Sequence, residues 1–200
     1  MFIKLEKAHR LAEGNRRWVY VHPENPDLLI KVVKPTARLK YRYFKRLRRR
    51  YMHTAPILRE LREQIVVRLD DPYPPRFLPK VAGFVDTDLG LGLVVRAERG
   101  ADGDYAPTLK TLIKQGKITP KLLEDIRKFF AEVRASNAVT GDLTIANIVY
   151  ANTEEEGERF VLIDGLGDKT WIPLQRIGFF RRRGKERAIA RIERALGIAS

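Results

Sequence analysis

The spacing of apolar residues changes character near residue 100, and this change constrains the fold more than any other feature of the chain. Before it, short apolar and β-branched runs alternate with turn formers. "WVYVH" and "LLIKVVK" flank "PENPD", and "KVAGFVDTD" and "LGLVVRAE" meet at "DLG". These pairs predict a small, mostly antiparallel sheet. Between them a helical pattern runs from about Arg38 through Val67, with a break expected near Pro56. Ile57, Leu58, Leu61 and Ile65 form its expected inward stripe.

After "RGADGDYAP", a Gly- and Asp-rich linker, the pattern is helical. "TLKTLIKQGKI" predicts a short helix and "TPKLLEDIRKFFAEVRASN" a longer one, with Thr119 as N-cap and Pro120 at the first helical position. Its inward stripe is Leu122, Ile126, Phe129, Phe130 and Val133. Two strands, "ANIVYA" and "RFVLID", enclose the acidic turn "NTEEEGE", and a basic amphipathic helix follows. The expectation is an α+β chain: residues 1–99 form a β-rich lobe with one helix, and residues 100–200 a mainly helical lobe with an inserted hairpin.

Charge is the strongest bulk signal. The 39 basic and 25 acidic side chains leave a net +14, which favours anionic partners without choosing among nucleic acid, nucleotide, lipid head or phosphorylated substrate. "RLKYRYFKRLRRR" (Arg38 to Arg50) holds no acid, and Tyr41, Tyr43, Phe44 and Tyr51 interleave with its basic residues. That run reads either as a solvated helix face or as an anionic docking surface, RNA or membrane. No run reaches the roughly 20 apolar residues of a membrane span, and the start lacks a signal peptide's apolar core. Zero cysteines give no disulfide framework and fit a reducing cytoplasm. His9, His22 and His53 are scattered, which disfavours a zinc cluster. His22 reads as a turn residue, and Trp18, Tyr20, Phe129 and Phe130 as core.

The chemistry gathers in "TGDLTIANIVY" and "VLIDGLGD". A loop with Asp142 and Asn147 leads into a hairpin that ends at Asp164. Phosphoryl transfer from ATP needs an acceptor for the attacking hydroxyl's proton, and oxygen ligands for Mg²⁺. Asp142 suits the first task as catalytic base; Asn147 and Asp164 suit the second. Lys31 lies inside the apolar run "LLIKVV", where an ammonium must find an anion or snorkel from an edge strand. Glu60 in "LRELRE" is the chosen partner for it, with Glu63 the competitor. Gly14, Arg16 and Arg17 lie where the first long strand begins, in the place of a glycine-rich loop, and the two arginines are expected to supply by charge what its missing glycines would give a phosphate. The Arg96-Ala97-Glu98 segment offers backbone groups to an adenine edge.

The order "G…R…Y-x-HPE…IKVV", "RELRE", "GLGLVV", "GDLTIANIVY" and "LIDGLGD…WIPL" resembles the YrbL family of small bacterial proteins, associated with the PhoP regulatory network. The resemblance runs from about Leu11 to Arg182. It implies a minimal two-lobed protein-kinase-like fold, with ATP and Mg²⁺ as cofactors, the nucleotide in a cleft, and Lys31 in the place of the kinase lysine. The Asp-x₄-Asn loop is also similar to that of aminoglycoside and lipopolysaccharide-core sugar kinases. The departures are a single glycine in the phosphate turn, Thr144 where protein kinases carry lysine, and "DGLG" for "DFG". The short remainder after Asp164 argues against peptide docking of the protein-kinase type. The expected acceptor is a hydroxyl on an anionic or sugar-type molecule. The alternatives are a catalytically inactive pseudokinase acting as a regulatory module and a basic nucleic-acid-binding protein.

Overall fold

The computed structural model describes residues 2–34, 46–70, 73–154, 156–167 and 178–198. The basic run at Arg38–Arg50 and its interleaved aromatic side chains lie outside the described residues, apart from the helical backbone from Arg46 onward.

The chain divides into two compact units, Met1–Leu58 with Pro79–Ala97, and Arg59–Leu78 with Glu98–Ser200. The first is built on a six-stranded sheet of β1 (Phe2–Ile3), β2 (Arg10–Glu13), β3 (Arg17–His22), β4 (Asn25–Val33), β5 (Val81–Thr87) and β6 (Gly90–Arg96). The spatial order is β1-β5-β6-β4-β3-β2, antiparallel throughout except for β1 beside β5. Both expected hairpins are present. Ile30 and Val32 of β4 point into a core with Ile3, Leu5, Tyr20, Val85 and Val94, because alternate strand residues share a face. Trp18 packs against the same core. The β3–β4 turn is closed in part by His22, whose Nδ1 accepts from the Glu24 N–H at 3.2 Å.

Helix α1 (Arg46–Asp70) runs through Pro56 without a break, so the interruption expected there is absent. A proline deletes one backbone donor, and the surrounding turns outweigh that loss. Its buried stripe also differs from expectation. Leu58 and Ile65 are exposed, whereas Ile57, Glu60, Glu63, Gln64 and Val67 are buried. Hydropathy could not anticipate a helix that turns two carboxylates and an amide inward.

In the second unit, α2 (Leu109–Lys114) and α3 (Pro120–Ala135) are followed by the hairpin of β7 (Ile148–Thr153) and β8 (Gly157–Leu162), and then by α4 (Gly178–Leu196). Thr119 caps α3 as expected, accepting from the Leu122 N–H at 3.2 Å, an interaction worth about 1 kcal/mol. The whole predicted stripe of α3 is buried. It meets Phe77, Phe160, Leu162 and Ile189 in the larger core, with Phe129 in edge contact with Phe77 at 5.8 Å between ring centres. Among the described residues no helix is long and apolar enough to cross a membrane.

Candidate active site

The loop between α3 and β7 is held by its backbone at several points, all within the second unit. At its start, the Lys185 ammonium of α4 donates to the carbonyls of Val133 and Ser136, at 2.6 Å each, and to Ser136 Oγ at 3.2 Å. A cation thus closes the C-terminal end of α3, where unsatisfied carbonyls gather. Next, the buried Val139 N–H donates to the Glu63 carboxylate of α1 at 2.9 Å. The Val139 carbonyl accepts from Gly167 N–H at 2.7 Å, and Thr140 bridges to Gly167. Asp142 N–H then donates to the Gly165 carbonyl at 3.0 Å. The loop is therefore fixed against the segment that leaves β8.

Asp142, Asn147 and Asp164 come together on this frame. Asn147 Nδ2 donates to both the carbonyl oxygen (2.9 Å) and Oδ2 (3.2 Å) of Asp142. The opposite amide orientation would set oxygen against two oxygens, so the network fixes the amide as it stands. Its Oδ1 has no protein donor among the described residues. The Asn147 N–H closes a turn onto the Thr144 carbonyl at 3.0 Å, and its carbonyl accepts from Ile163 N–H at 2.9 Å. The second of these bonds ties Asn147 to the residue before Asp164. Asp164 Oδ1 accepts from the next backbone N–H, Gly165, at 2.5 Å.

Two glycines that the motif reading passed over make this approach possible. Gly165 has φ +97°, and a Cβ there would lie 2.6 Å from the Asp142 carbonyl oxygen. Gly167 has φ +82°, and its Cβ would lie 2.7 Å from the Arg59 Cβ. A side chain at position 165 has no room here. The signal was present as Gly165 and Gly167, one and three positions after Asp164.

The hairpin that carries Asn147 and Asp164 is anchored to α3. The buried Asp125 carboxylate accepts from Tyr150 OH at 2.6 Å and from Lys121 Nζ at 3.0 Å. Burial would raise the Asp125 carboxyl, but the Tyr150 hydroxyl and the Lys121 ammonium outweigh it and hold it below the ordinary value. Burial first, and Asp125 second, push the Tyr150 hydroxyl well above its ordinary value.

Among the remaining expected site residues, Lys31 is 5% exposed and pairs with Val19 and Leu93 on β4, a strand flanked on both sides. The edge-strand explanation of this lysine therefore falls away. Gly14 and Arg16 lie in the exposed β2–β3 turn, where Gly14 N–H donates to the Arg17 carbonyl at 2.9 Å. Glu60 is 2% exposed, a burial that a carboxylate tolerates only with partners. Glu98 is buried as well. Its carboxylate pairs with Arg159 at 3.0 Å, and its carbonyl accepts from Ala106 N–H at 2.9 Å. Sequence reasoning had weighed Glu63 only as a partner for Lys31; the structure places its carboxylate on the loop backbone.

Among the described residues no three His, Cys, Asp or Glu side chains converge as a ready metal site. A mixed Asn147–Asp164 pair suits a hard cation that takes its remaining oxygens from phosphate and water, as Mg²⁺ does. The amide oxygen without a donor is the observation that fits.

The fold and site define an α+β chain whose braced Asp-x₄-Asn loop abuts a strand-end Asp-Gly. Residues 3–197 match the family model described as PhoP regulatory network protein YrbL, and the chain belongs to that family. It is 25% identical over 178 residues to the uncharacterized protein YrbL of Escherichia coli K12 and to that of Shigella flexneri, covering 86% of this chain and 77% of each relative. Similar solved structures include the Mycobacterium tuberculosis PknI kinase domain (18% identity, TM-score 0.46, 78% of this chain and 57% of that one). Another is the PpkA-294 apo form (19%, TM-score 0.49, 78% and 56%). A third is WbdD in complex with the kinase inhibitor LY294002 (14%, TM-score 0.45), where the match covers 87% of this chain and 36% of that one.

Proposed function

We propose that the protein is an ATP-dependent phosphotransferase acting on a hydroxyl of an anionic or sugar-type acceptor. The observation that carries this reading is the Asn147 amide. Its donor end is fixed on Asp142, at 2.9 and 3.2 Å, and its oxygen, to which no described residue donates, suits a cation. In this reading Asp142 takes the proton as the acceptor's oxygen forms its bond to the γ-phosphorus and the bond to the bridging oxygen of ADP breaks. Asn147 and Asp164 hold Mg²⁺, which when bound offsets phosphate charge. Lys31 anchors the α- and β-phosphates. Gly14 and Arg16 contribute from the β2–β3 turn, and the Glu98 backbone receives the adenine edge. The net charge of +14 favours the approach of ATP and of an anionic acceptor.

Titrating ATP calorimetrically with and without Mg²⁺ tests the assignment. Mg²⁺ is expected to tighten binding to the wild type and to leave Asp164→Ala unaffected. An identical Mg²⁺ effect in both proteins removes Asp164 from the metal site.

A nucleotide-binding regulatory module without turnover is the second reading. One observation favours it: Thr144, in the place of the protein-kinase lysine, contributes its carbonyl to the Asn147 turn and brings no cation to the γ-phosphate.

A further inference from the structure

We infer that the outer face of α4 docks on a bilayer carrying anionic headgroups. The helix buries Lys185, Ala188, Ile189 and Ile192. At 3.6 residues per turn the opposite face carries Phe179, Arg183, Arg187, Arg191 and Arg194, with Phe180 beside the first. Among the described residues, none of these four arginines has a carboxylate partner. Arg191 and Arg194 lay their Nε atoms on the carbonyls of Arg187 and Ala190, each at 3.3 Å. The two acids of the helix lie at the margins of this face. Glu186 is occupied by Arg134 at 3.0 Å, and Glu193 is half-buried.

The arginines form a straight row about 16 Å long, from the rise of a helix. Such a row meets a flat plane of negative charge at every turn. Phe179 and Phe180 are 65% and 44% exposed, and their rings touch edge to face at 5.7 Å. Two contiguous exposed phenylalanines at one end of a basic row form an apolar patch beside positive charge. At a bilayer they enter the headgroup layer while the guanidinium groups meet phosphates. The edge-to-face pair forms an apolar knob rather than two open, parallel faces of the kind successive bases stack upon, which favours lipid over single-stranded nucleic acid.

Co-sedimentation of the full chain with vesicles tests the surface without reference to ATP. Binding is expected to phosphatidylcholine–phosphatidylglycerol vesicles and not to pure phosphatidylcholine, falling as salt rises. Phe179→Ser with Phe180→Ser is expected to weaken it at least about tenfold. Arg183→Glu with Arg187→Glu is expected to abolish it, with both variants melting as the wild type does. Equal binding to neutral vesicles overturns the inference. So does undiminished binding by the folded Arg→Glu variant, which assigns the attachment elsewhere in the chain. Absence of vesicle binding together with salt-sensitive retention of single-stranded RNA also overturns it, making this a nucleic-acid surface.

Discussion

A Cβ on Gly165 would lie 2.6 Å from the carbonyl oxygen of Asp142 and 2.8 Å from its Cβ, so the turn after β8 and the loop before β7 share space that only glycine permits. The positive φ of +97° adds a second, independent demand. Gly165→Ala is expected to cost about 2–4 kcal/mol in urea unfolding, from overpacking plus backbone strain. Gly14→Ala is the matched control: its Cβ would meet the Arg17 carbonyl at an ordinary 3.5 Å. Its expected effect stays within about 0.5 kcal/mol.

Asn147→Leu keeps the side-chain volume and removes both bonds to Asp142. The loop is expected to lose about 1–3 kcal/mol, because two Asp142 oxygens each forfeit one donated hydrogen bond. The same variant should lose the Mg²⁺ dependence of ATP binding in calorimetry. If Mg²⁺ still tightens ATP binding, Asn147 braces the loop and does no more.

Glu63 and Val139 form a buried bond that two variants can dissect. Glu63→Gln retains an oxygen acceptor for the Val139 N–H and should leave its hydrogen exchange slow. Glu63→Leu leaves that N–H buried without a partner, at a cost of about 1–3 kcal/mol, and its exchange should accelerate. Equal exchange in both variants would show that the loop is held without this bond.

Lys185 makes stability depend on pH with a definite sign. Burial first, then Arg181, lower its ammonium from 10.5 to about 8, with Glu63 opposing. The unfolded chain therefore binds this proton more tightly than the folded one. Below pH 8 the full cost of holding the charge is present; from about pH 8 toward 10.5 stability rises as the folded state releases the proton. Relative to Lys185→Met, the wild type should gain about 2 kcal/mol between roughly pH 8 and pH 10 in denaturant titrations. Parallel pH profiles of the two proteins would contradict the shift.

What the sequence revealed and what it hid follow from the range of the forces involved. The Thr119 cap and the buried stripe of α3 are local or periodic, and both were legible. The Asp142–Asn147 spacing and the strand-end Asp164 were legible as a motif, and their convergence required the β7–β8 hairpin, whose turn was also readable. The inward face of α1 was legible only in part: Glu60 and Glu63 stood out as candidate partners for Lys31, whereas hydropathy turned Leu58 and Ile65 inward and left Gln64 to solvent. The role of Glu63 stayed hidden until the tertiary fold supplied the N–H of Val139, 76 positions away. Lys185 is the same case, a lysine buried by the end of another helix. Gly165 and Gly167 showed only that backbones come close, and not which ones.

The central claim is that Asp142 serves phosphoryl transfer. Turnover of γ-labelled ATP with Mg²⁺, to water or to the protein's own hydroxyls, measures it most directly when wild type and Asp142→Ala are compared at equal fold stability. The account predicts measurable release or incorporation by the wild type and a loss of at least about a hundredfold in the variant. Equal rates in the two proteins would contradict it.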